Sequence, residues 1–179
     1  MHEIRFNAHL WPHVHELYRS GAGSPRHYFE VRVFPSRTTQ AAAYRRLVAR
    51  TIKTRHGAEA GDEGRASGIF VHPRQTAAVV STWSGRGGTL SNRFAVALFA
   101  RRLLTMECVS HEAVHVTTSL LRGLAHAKAS GERKLNPFVN LGRSPGGDNE
   151  ERFAYLVSAA VVAMLEGFWS VGIRKIKRT

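Results

Sequence analysis

Three residues in the second half of the chain have types and a spacing that suit metal-assisted hydrolysis. His111, Glu112 and His115 form the pattern H-E-x-x-H. Residues four apart on an α-helix lie on one face one turn apart, so both imidazoles can bind one zinc ion at about 2.0–2.1 Å. Glu112 is rotated off that line but reaches a zinc-bound water and takes its proton as the water attacks a carbonyl. The pattern predicts a zinc-dependent hydrolase, with two histidines on an ordinary helix face as the alternative.

A catalytic zinc ion needs a third protein ligand and an open fourth position. The longer pattern H-E-x-x-H-x-x-G-x-x-H would place a histidine at position 121, which is Leu121, so that pattern does not apply. Downstream, Glu150 and Glu151 stand at the start of an apolar helix, where one carboxylate can turn inward onto the metal. Glu151 has an alternative role at the third position of a D-x-x-E capping arrangement with Asp148.

The two motifs together carry a resemblance to a known family. H-E-x-x-H on one helix and E-x-x-A-Y at 151–155 opening a later helix resemble the gluzincin metallopeptidases, and in size and local sequence the chain is similar to small uncharacterised metallopeptidase-like proteins of phages. The similarity covers roughly residues 93–165. It implies that His111, His115 and Glu151 hold Zn²⁺, that Glu112 is the general base, and that the bond cleaved is a peptide bond.

The resemblance extends to the surroundings of this site. Gluzincins run an edge strand beside the cleft and hold an extended peptide on it by β-augmentation, a role that the resemblance assigns here to residues 93–100. Tyr155 follows Glu151 by one turn, where its hydroxyl can donate a hydrogen bond to the oxyanion, and a place in the hydrophobic core is its alternative. Glu150 is the alternative third ligand, pointing about 100° round the helix from Glu151.

The elements that must position these residues are predicted from hydrophobic periodicity. We expect strands at 27–34, 68–72, 76–83 and 93–100, the last covered on both faces because its apolar residues are nearly continuous. We expect helices from Thr38 or Thr39, either of which can cap, to Gly57, then at 105–124, and from about 149 onward. The residues up to Ser20 show no regular pattern. The order predicts an α+β fold with a small sheet of short strands and two long helices that carry the zinc site.

Length and composition set the domain organisation. The chain has 179 residues, of which 43% are hydrophobic and 22% charged, which is an ordinary balance for one compact domain. No internal repeat is visible. We therefore expect a single domain over 1–179, with a catalytic core at about 93–165 and a basic C-terminal tail at 174–179.

The charge of the chain indicates a second class of partner. Twenty-six Lys and Arg residues against 13 Asp and Glu residues give a net charge of +13, which attracts phosphate-rich polymers without a specific site. The alternative is a solvated basic surface. The rival function is therefore a basic protein that binds nucleic acid or takes part in phage assembly, with a structural or vestigial zinc site. Zinc-dependent hydrolysis of a non-peptide bond is a third possibility.

The remaining features concern location. The first twenty residues contain no apolar segment of the kind found in secretory signals, and the single cysteine, Cys108, asks for no oxidising compartment. These features predict a cytoplasmic protein. Residues 153–173 are apolar enough to imitate a membrane span, but Glu166 interrupts them and their small residues suit a packed core helix. We therefore expect no membrane partner.

Overall fold

The computed structural model describes residues 2–10, 27–56, 77–82, 92–126 and 148–178. Within these residues it has the predicted α+β architecture, with one small sheet and three helices. The described strands and helices are, in chain order, β1 (Ile4–Ala8), β2 (Tyr28–Phe34), α1 (Arg37–His56), β3 (Ala77–Ser81), β4 (Arg93–Ala100), α2 (Met106–His126) and α3 (Asp148–Ser170). A short 3-10 turn, Arg101–Leu103, joins β4 to α2.

The sheet is mixed, with the strand order β1-β2-β4-β3. β1 pairs antiparallel with β2, and β3 pairs antiparallel with β4. β2 and β4 are parallel neighbours, with Val31 opposite Ala97. Parallel neighbours need a long crossover connection, and here the chain between them contains both α1 and β3.

β4 is the most buried element of the sheet. Its residues from Phe94 to Ala100 are all buried, because α1 covers one face while α2 and α3 cover the other. This confirms the prediction of a strand covered on both faces. It also shows that the edge-strand role assigned to 93–100 is wrong, since β4 pairs with β2 on one side and with β3 on the other. Within the described sheet, the edge strand next to β4 is β3.

Helix α1 forms a small hydrophobic cluster on its face of the sheet. Ala43, Tyr44, Leu47 and Val48 pack against a buried set on the strands: Phe34, Ala78, Val80, Val96 and Leu98. The predicted cap was wrong by two or three residues. Ser36 is the capping residue, because its Oγ accepts the Thr39 N–H at 3.2 Å while Thr39 Oγ1 accepts the Ser36 N–H at 3.3 Å, the reciprocal arrangement of a capping box.

The main core lies on the opposite face, between the sheet and helices α2 and α3. Phe168 of α3 meets Phe6 and Phe99 edge to face, with ring centroids 5.4 Å and 5.5 Å apart. Gly167 lies directly against the ring of Phe6, and a Cβ at this position would collide with it. The strand β1, which supplies Phe6, lies in the segment for which the sequence showed no regular pattern. The C-terminal half of α3 is therefore fixed tightly to the sheet.

The chain after α3 returns to the beginning of α2. Gly172 ends α3 with a φ of +82°, and the Ile173 N–H donates to Phe168 O at 2.8 Å, as in a Schellman turn. The turn directs the chain so that Lys177 pairs in parallel with Thr105: Met106 N donates to Lys177 O at 3.0 Å and Lys177 N to Leu104 O at 3.3 Å. The C-terminal segment is thus attached to the fold.

The end of α3 therefore lies beside the beginning of α2. Phe168 also contacts Phe99, which precedes α2 by seven residues. The two helices pack together, so both observations mean that they run antiparallel.

Two further predictions concern the rest of the chain. The strand expected at 76–83 is present as Ala77–Ser81, whereas the strand expected at 68–72 lies outside the described residues. Within the described part, one helical segment, Phe153–Ser170, is long and apolar enough to cross a membrane by length and composition alone. Of this segment 33% is buried, and its buried residues include Leu156, Ala160 and Met164 in the main core.

Candidate metal centre

Helix α2 presents its two histidines on the face that points away from the core. Val109, Ala113, Val116 and Leu120 are fully buried at helical spacing. The opposite face exposes Glu107, Ser110, His111, Val114 and His115. The burial of one apolar stripe therefore fixes the direction of the H-E-x-x-H histidines, because their positions on the helix leave them no route into the core.

The two imidazoles converge on each other. His115 Nε2 lies 3.2 Å from His111 Nε2, and the rings are inclined at 68° with their centroids 4.9 Å apart. Two nitrogens that bind one tetrahedral zinc ion at about 2.0–2.1 Å stand about 3.3–3.4 Å apart. The spacing of the pair therefore fits a shared metal to within a few tenths of an ångström. Exposure of the pair leaves room for other ligands on the solvent side.

Glu112 has a different environment from its two neighbours. Its side chain is only 3% exposed, and its Oε2 has no hydrogen-bond partner among the described residues. Burial raises the pKa of Glu112 to about 7, because a low-polarity environment disfavours the charged carboxylate. Burial also raises the pKa of Tyr44 on α1, and the charge of Glu112 adds to that rise. Glu112 thus lies within electrostatic reach of Tyr44 on α1.

A pair of serines connects α2 to the edge strand β3. Ser119 Oγ lies 2.6 Å from Ser81 Oγ and donates a hydrogen bond to the His115 carbonyl oxygen at 2.8 Å. Sequence analysis did not single out either serine. The sequence could have identified Ser119 from its spacing, because it follows His115 by four residues on the same side of the helix. No sequence pattern identified β3 as its partner. The contact fixes the edge strand beside the helix that carries the histidines.

The site residues predicted on α3 lie towards the end of the helix pair that is opposite to the histidines. Glu151 and Tyr155 are the fourth and eighth residues of α3, whereas His111 and His115 are the sixth and tenth residues of α2. Because the helices run antiparallel, the first turns of α3 lie towards the last turns of α2, whereas the histidines lie in the first half of α2.

The structure therefore brings His111, Glu112 and His115 together on one helix and leaves the α3 candidates apart from them. Glu151 is exposed, and Tyr155 is 58% exposed, so its alternative interpretation as a core residue is wrong. Among the described side chains, no group of three His, Cys, Asp or Glu residues is arranged to hold a metal. The side chain of Glu150 lies outside the described set. The third ligand stays a prediction.

The fit to zinc is thus good for the histidine pair. The two histidine nitrogens converge on the exposed face of α2, whereas Glu112 Oε2 is buried without a hydrogen-bond partner among the described residues. Comparison of the chain with protein-family models, with curated proteins and with solved structures finds no match in any of the three.

Proposed function

We propose that this protein is a zinc-dependent hydrolase that cleaves peptide bonds. The single observation that carries the proposal is the 3.2 Å separation of the His111 and His115 Nε2 atoms on the exposed face of α2. Two neutral imidazoles at this spacing are suitable ligands for Zn²⁺. When bound, zinc lowers the pKa of a coordinated water towards neutrality and polarises the carbonyl under attack.

Glu112 supplies the proton transfer in this proposal. Glu112 directly follows His111, and its Oε2 is a buried acceptor without a hydrogen-bond partner among the described residues. In this proposal the Glu112 carboxylate takes the proton of the attacking water and returns it to the leaving amine. A purely structural metal site has no use for such a group, so Glu112 is the residue that favours an enzyme over a structural or vestigial zinc site.

The edge strand β3 supplies the place for an extended peptide. Its pairing partner in the described sheet is β4, on one side only, and the Ser81–Ser119 contact holds it beside α2. An extended substrate that pairs with β3 would gain main-chain hydrogen bonds and lie along the helix of the histidine pair. This role replaces the one that the sequence assigned to β4.

The first experiment is metal analysis of the purified protein and of His111→Ala and His115→Ala. We expect about one zinc per wild-type chain and an affinity at least about a hundredfold lower in each variant, since even outer-shell partners of zinc ligands are worth about 10–100-fold. The wild-type protein should also unfold at a higher temperature with zinc than with a chelator, by mass action. His9→Ala, at an exposed histidine of the N-terminal segment, is the control. Full zinc binding by both variants would refute the metal site.

The second experiment separates catalysis from metal binding. Glu112→Gln should keep zinc and lose hydrolysis of a fluorescence-quenched peptide library by at least about a hundredfold, because proton transfer by a positioned group contributes about 10²–10⁴ in rate. Glu107→Gln, on the exposed first turn of the same helix, is the matched control and should retain full activity. Equal activity of wild type and Glu112→Gln would exclude this carboxylate as the base.

A further inference from the structure

The structure brings together two basic segments that are more than 70 residues apart in the sequence. Arg101 and Arg102 lie in the 3-10 turn before α2, and the C-terminal segment that pairs with Thr105 contains Arg174, Lys175, Lys177 and Arg178. These six residues are called the C-terminal basic patch. All except Arg101 are exposed. Sequence analysis treated the tail as an isolated cluster, and only the Lys177–Thr105 pairing joins it to the turn.

The size of the patch follows from the chain geometry. Paired strands lie about 4.8 Å apart, so Lys177 is adjacent to Thr105. Arg102 precedes Thr105 and Arg174 precedes Lys177 by three residues each, at most about 11 Å along the chain. The cations therefore occupy a region on the order of 15–20 Å wide, in which sequence neighbours lie within about one Debye length of each other at physiological salt. Their fields add, and the patch can contact several successive phosphates.

An exposed aromatic residue accompanies these cations. Trp169, near the end of α3, is 53% exposed, and its carbonyl accepts the Gly172 N–H in the turn that begins the C-terminal segment. Binding of a single-stranded nucleic acid combines cations that follow the backbone with aromatic rings on which bases stack. Two acidic residues are nearby, Glu107 on the first turn of α2 and Glu166 on α3, so the local balance remains strongly positive.

From this juxtaposition we propose that the C-terminal basic patch and Trp169 form a binding surface for single-stranded nucleic acid. The anionic membrane surface is the main competitor for such a patch. It is less favoured because exposed Glu166 and Ser170 flank Trp169, so insertion of the indole into lipid would carry a carboxylate with it. A nucleobase needs only the face of the ring. The inference is independent of the metal site, because none of its residues belongs to the H-E-x-x-H helix turn.

The test compares two variants with the same change in net charge. The patch variant carries Arg174→Gln, Lys175→Gln, Lys177→Gln and Arg178→Gln, and it keeps the main-chain hydrogen bonds of Lys177. The control variant carries Arg37→Gln, Arg45→Gln, Arg46→Gln and Arg50→Gln on α1. Each has a net charge of +9, from +13 minus 4. The probe is a fluorescein-labelled oligothymidylate of about 20 nucleotides, long enough to span the patch, and the readout is anisotropy across a salt series.

The wild-type affinity should fall linearly with salt on logarithmic axes, with a slope of about −0.7 per contacted phosphate. Loss of about three contacts should reduce the slope by about 2 and the affinity at 0.1 M salt by about a hundredfold, since each contact is worth roughly fivefold there. The control variant should lose at most about threefold. Equal losses in the two variants, or no loss in the patch variant, would overturn the proposal.

Two further experiments test the role of Trp169 and the alternative of a lipid surface. Trp169→Ala should weaken oligonucleotide binding by about fivefold or more, while Trp169→Phe keeps a stacking ring and should lose less than about twofold. If Trp169→Ala binds the oligonucleotide as tightly as wild type, the indole is not part of the binding surface. Sedimentation with phosphatidylserine–phosphatidylcholine vesicles covers the alternative: a patch variant that loses vesicle binding but retains oligonucleotide binding would overturn the proposal in favour of a membrane. His111→Ala should leave all these results unchanged.

Discussion

Two buried carboxylates of this protein have opposite surroundings. Glu30, on β2, accepts hydrogen bonds from Arg32 at 2.8 Å and 3.0 Å and from Arg93 at 2.7 Å. Glu112, on α2, is more deeply buried, and its Oε2 has no hydrogen-bond partner among the described residues. One carboxylate joins two strands, whereas the other is buried on the helix that carries the histidine pair.

The difference is expressed in the pKa values of the two groups. Burial by itself would raise the pKa of Glu30, but the hydrogen bonds and charges of Arg32 and Arg93 outweigh it and lower the pKa below its usual range. For Glu112, burial acts alone and raises the pKa to about 7. A protein rarely keeps an uncompensated buried acid unless the acid has a function, so we propose a stabilising role for Glu30 and a catalytic one for Glu112.

The largest effect is expected from Glu30→Gln. The substitution removes the charge that compensates Arg32 and Arg93, and breaking a mostly buried ion pair on one side typically destabilises by about 3 kcal/mol or more. Because Arg93 is partly exposed, we expect a loss of about 2–3 kcal/mol in the free energy of unfolding, measured by urea titration. Glu3→Gln, at the rim of the same cluster, should change it by less than about 0.5 kcal/mol. Similar losses from both would mean that Glu30 is not the centre of this network.

Glu112→Leu should act in the opposite direction. Leucine has a similar volume and removes the need to bury an unsatisfied carboxyl group, which costs about 1–3 kcal/mol. We expect the free energy of unfolding to rise by about 1–2 kcal/mol when measured with a chelator present. Glu107→Leu on the exposed face is the control and should stay within about 0.5 kcal/mol of wild type. A destabilised Glu112→Leu would show that the carboxylate contributes to the fold.

Acid should weaken the Glu30 cluster selectively. A group whose folded-state pKa is lowered contributes stability above its unfolded pKa, about 4.3, and that contribution is lost as the pH falls through the folded value. Wild-type protein should therefore lose about 1 kcal/mol more than Glu30→Gln between pH 6 and pH 3. The free energy of unfolding of both proteins is measured by urea titration at each pH. If it changes with pH in the same way for both, the lowered pKa of Glu30 is contradicted.

The smallest effect concerns the exposed carboxylates that open α3. Glu150 and Glu151 lie in the first turn of α3 and therefore towards the last turns of α2, whereas the histidines lie in its first half. Glu151→Gln and Glu150→Gln should each change the zinc affinity by less than about twofold, measured by competition with a chromogenic chelator. A loss of about tenfold or more in Glu151→Gln alone would assign it the third ligand position and require a different alignment of α2 and α3.

What the sequence could predict followed from short-range geometry. The convergence of His111 and His115 depends only on helical spacing and on the apolar stripe that turns them outward, and both are readable in a single segment. The same holds for β4, whose bounds and two covered faces were predicted from its continuous apolar run. The strand β1 was missed because its five residues, in which Ile4, Phe6 and Ala8 alternate with Arg5 and Asn7, form too short a run to stand out. It becomes a strand through pairing with β2.

Contacts between distant segments were decided by the tertiary structure alone. No local pattern indicates that β3 rather than β4 forms the edge, that Ser81 meets Ser119, or that Lys177 joins the tail to Thr105. The burial of Glu112 and the position of Glu151 relative to α2 could not be predicted either, because both depend on how whole elements pack. Spacing along one helix fixes which side chains share a face, whereas packing between elements fixes which of those faces meet.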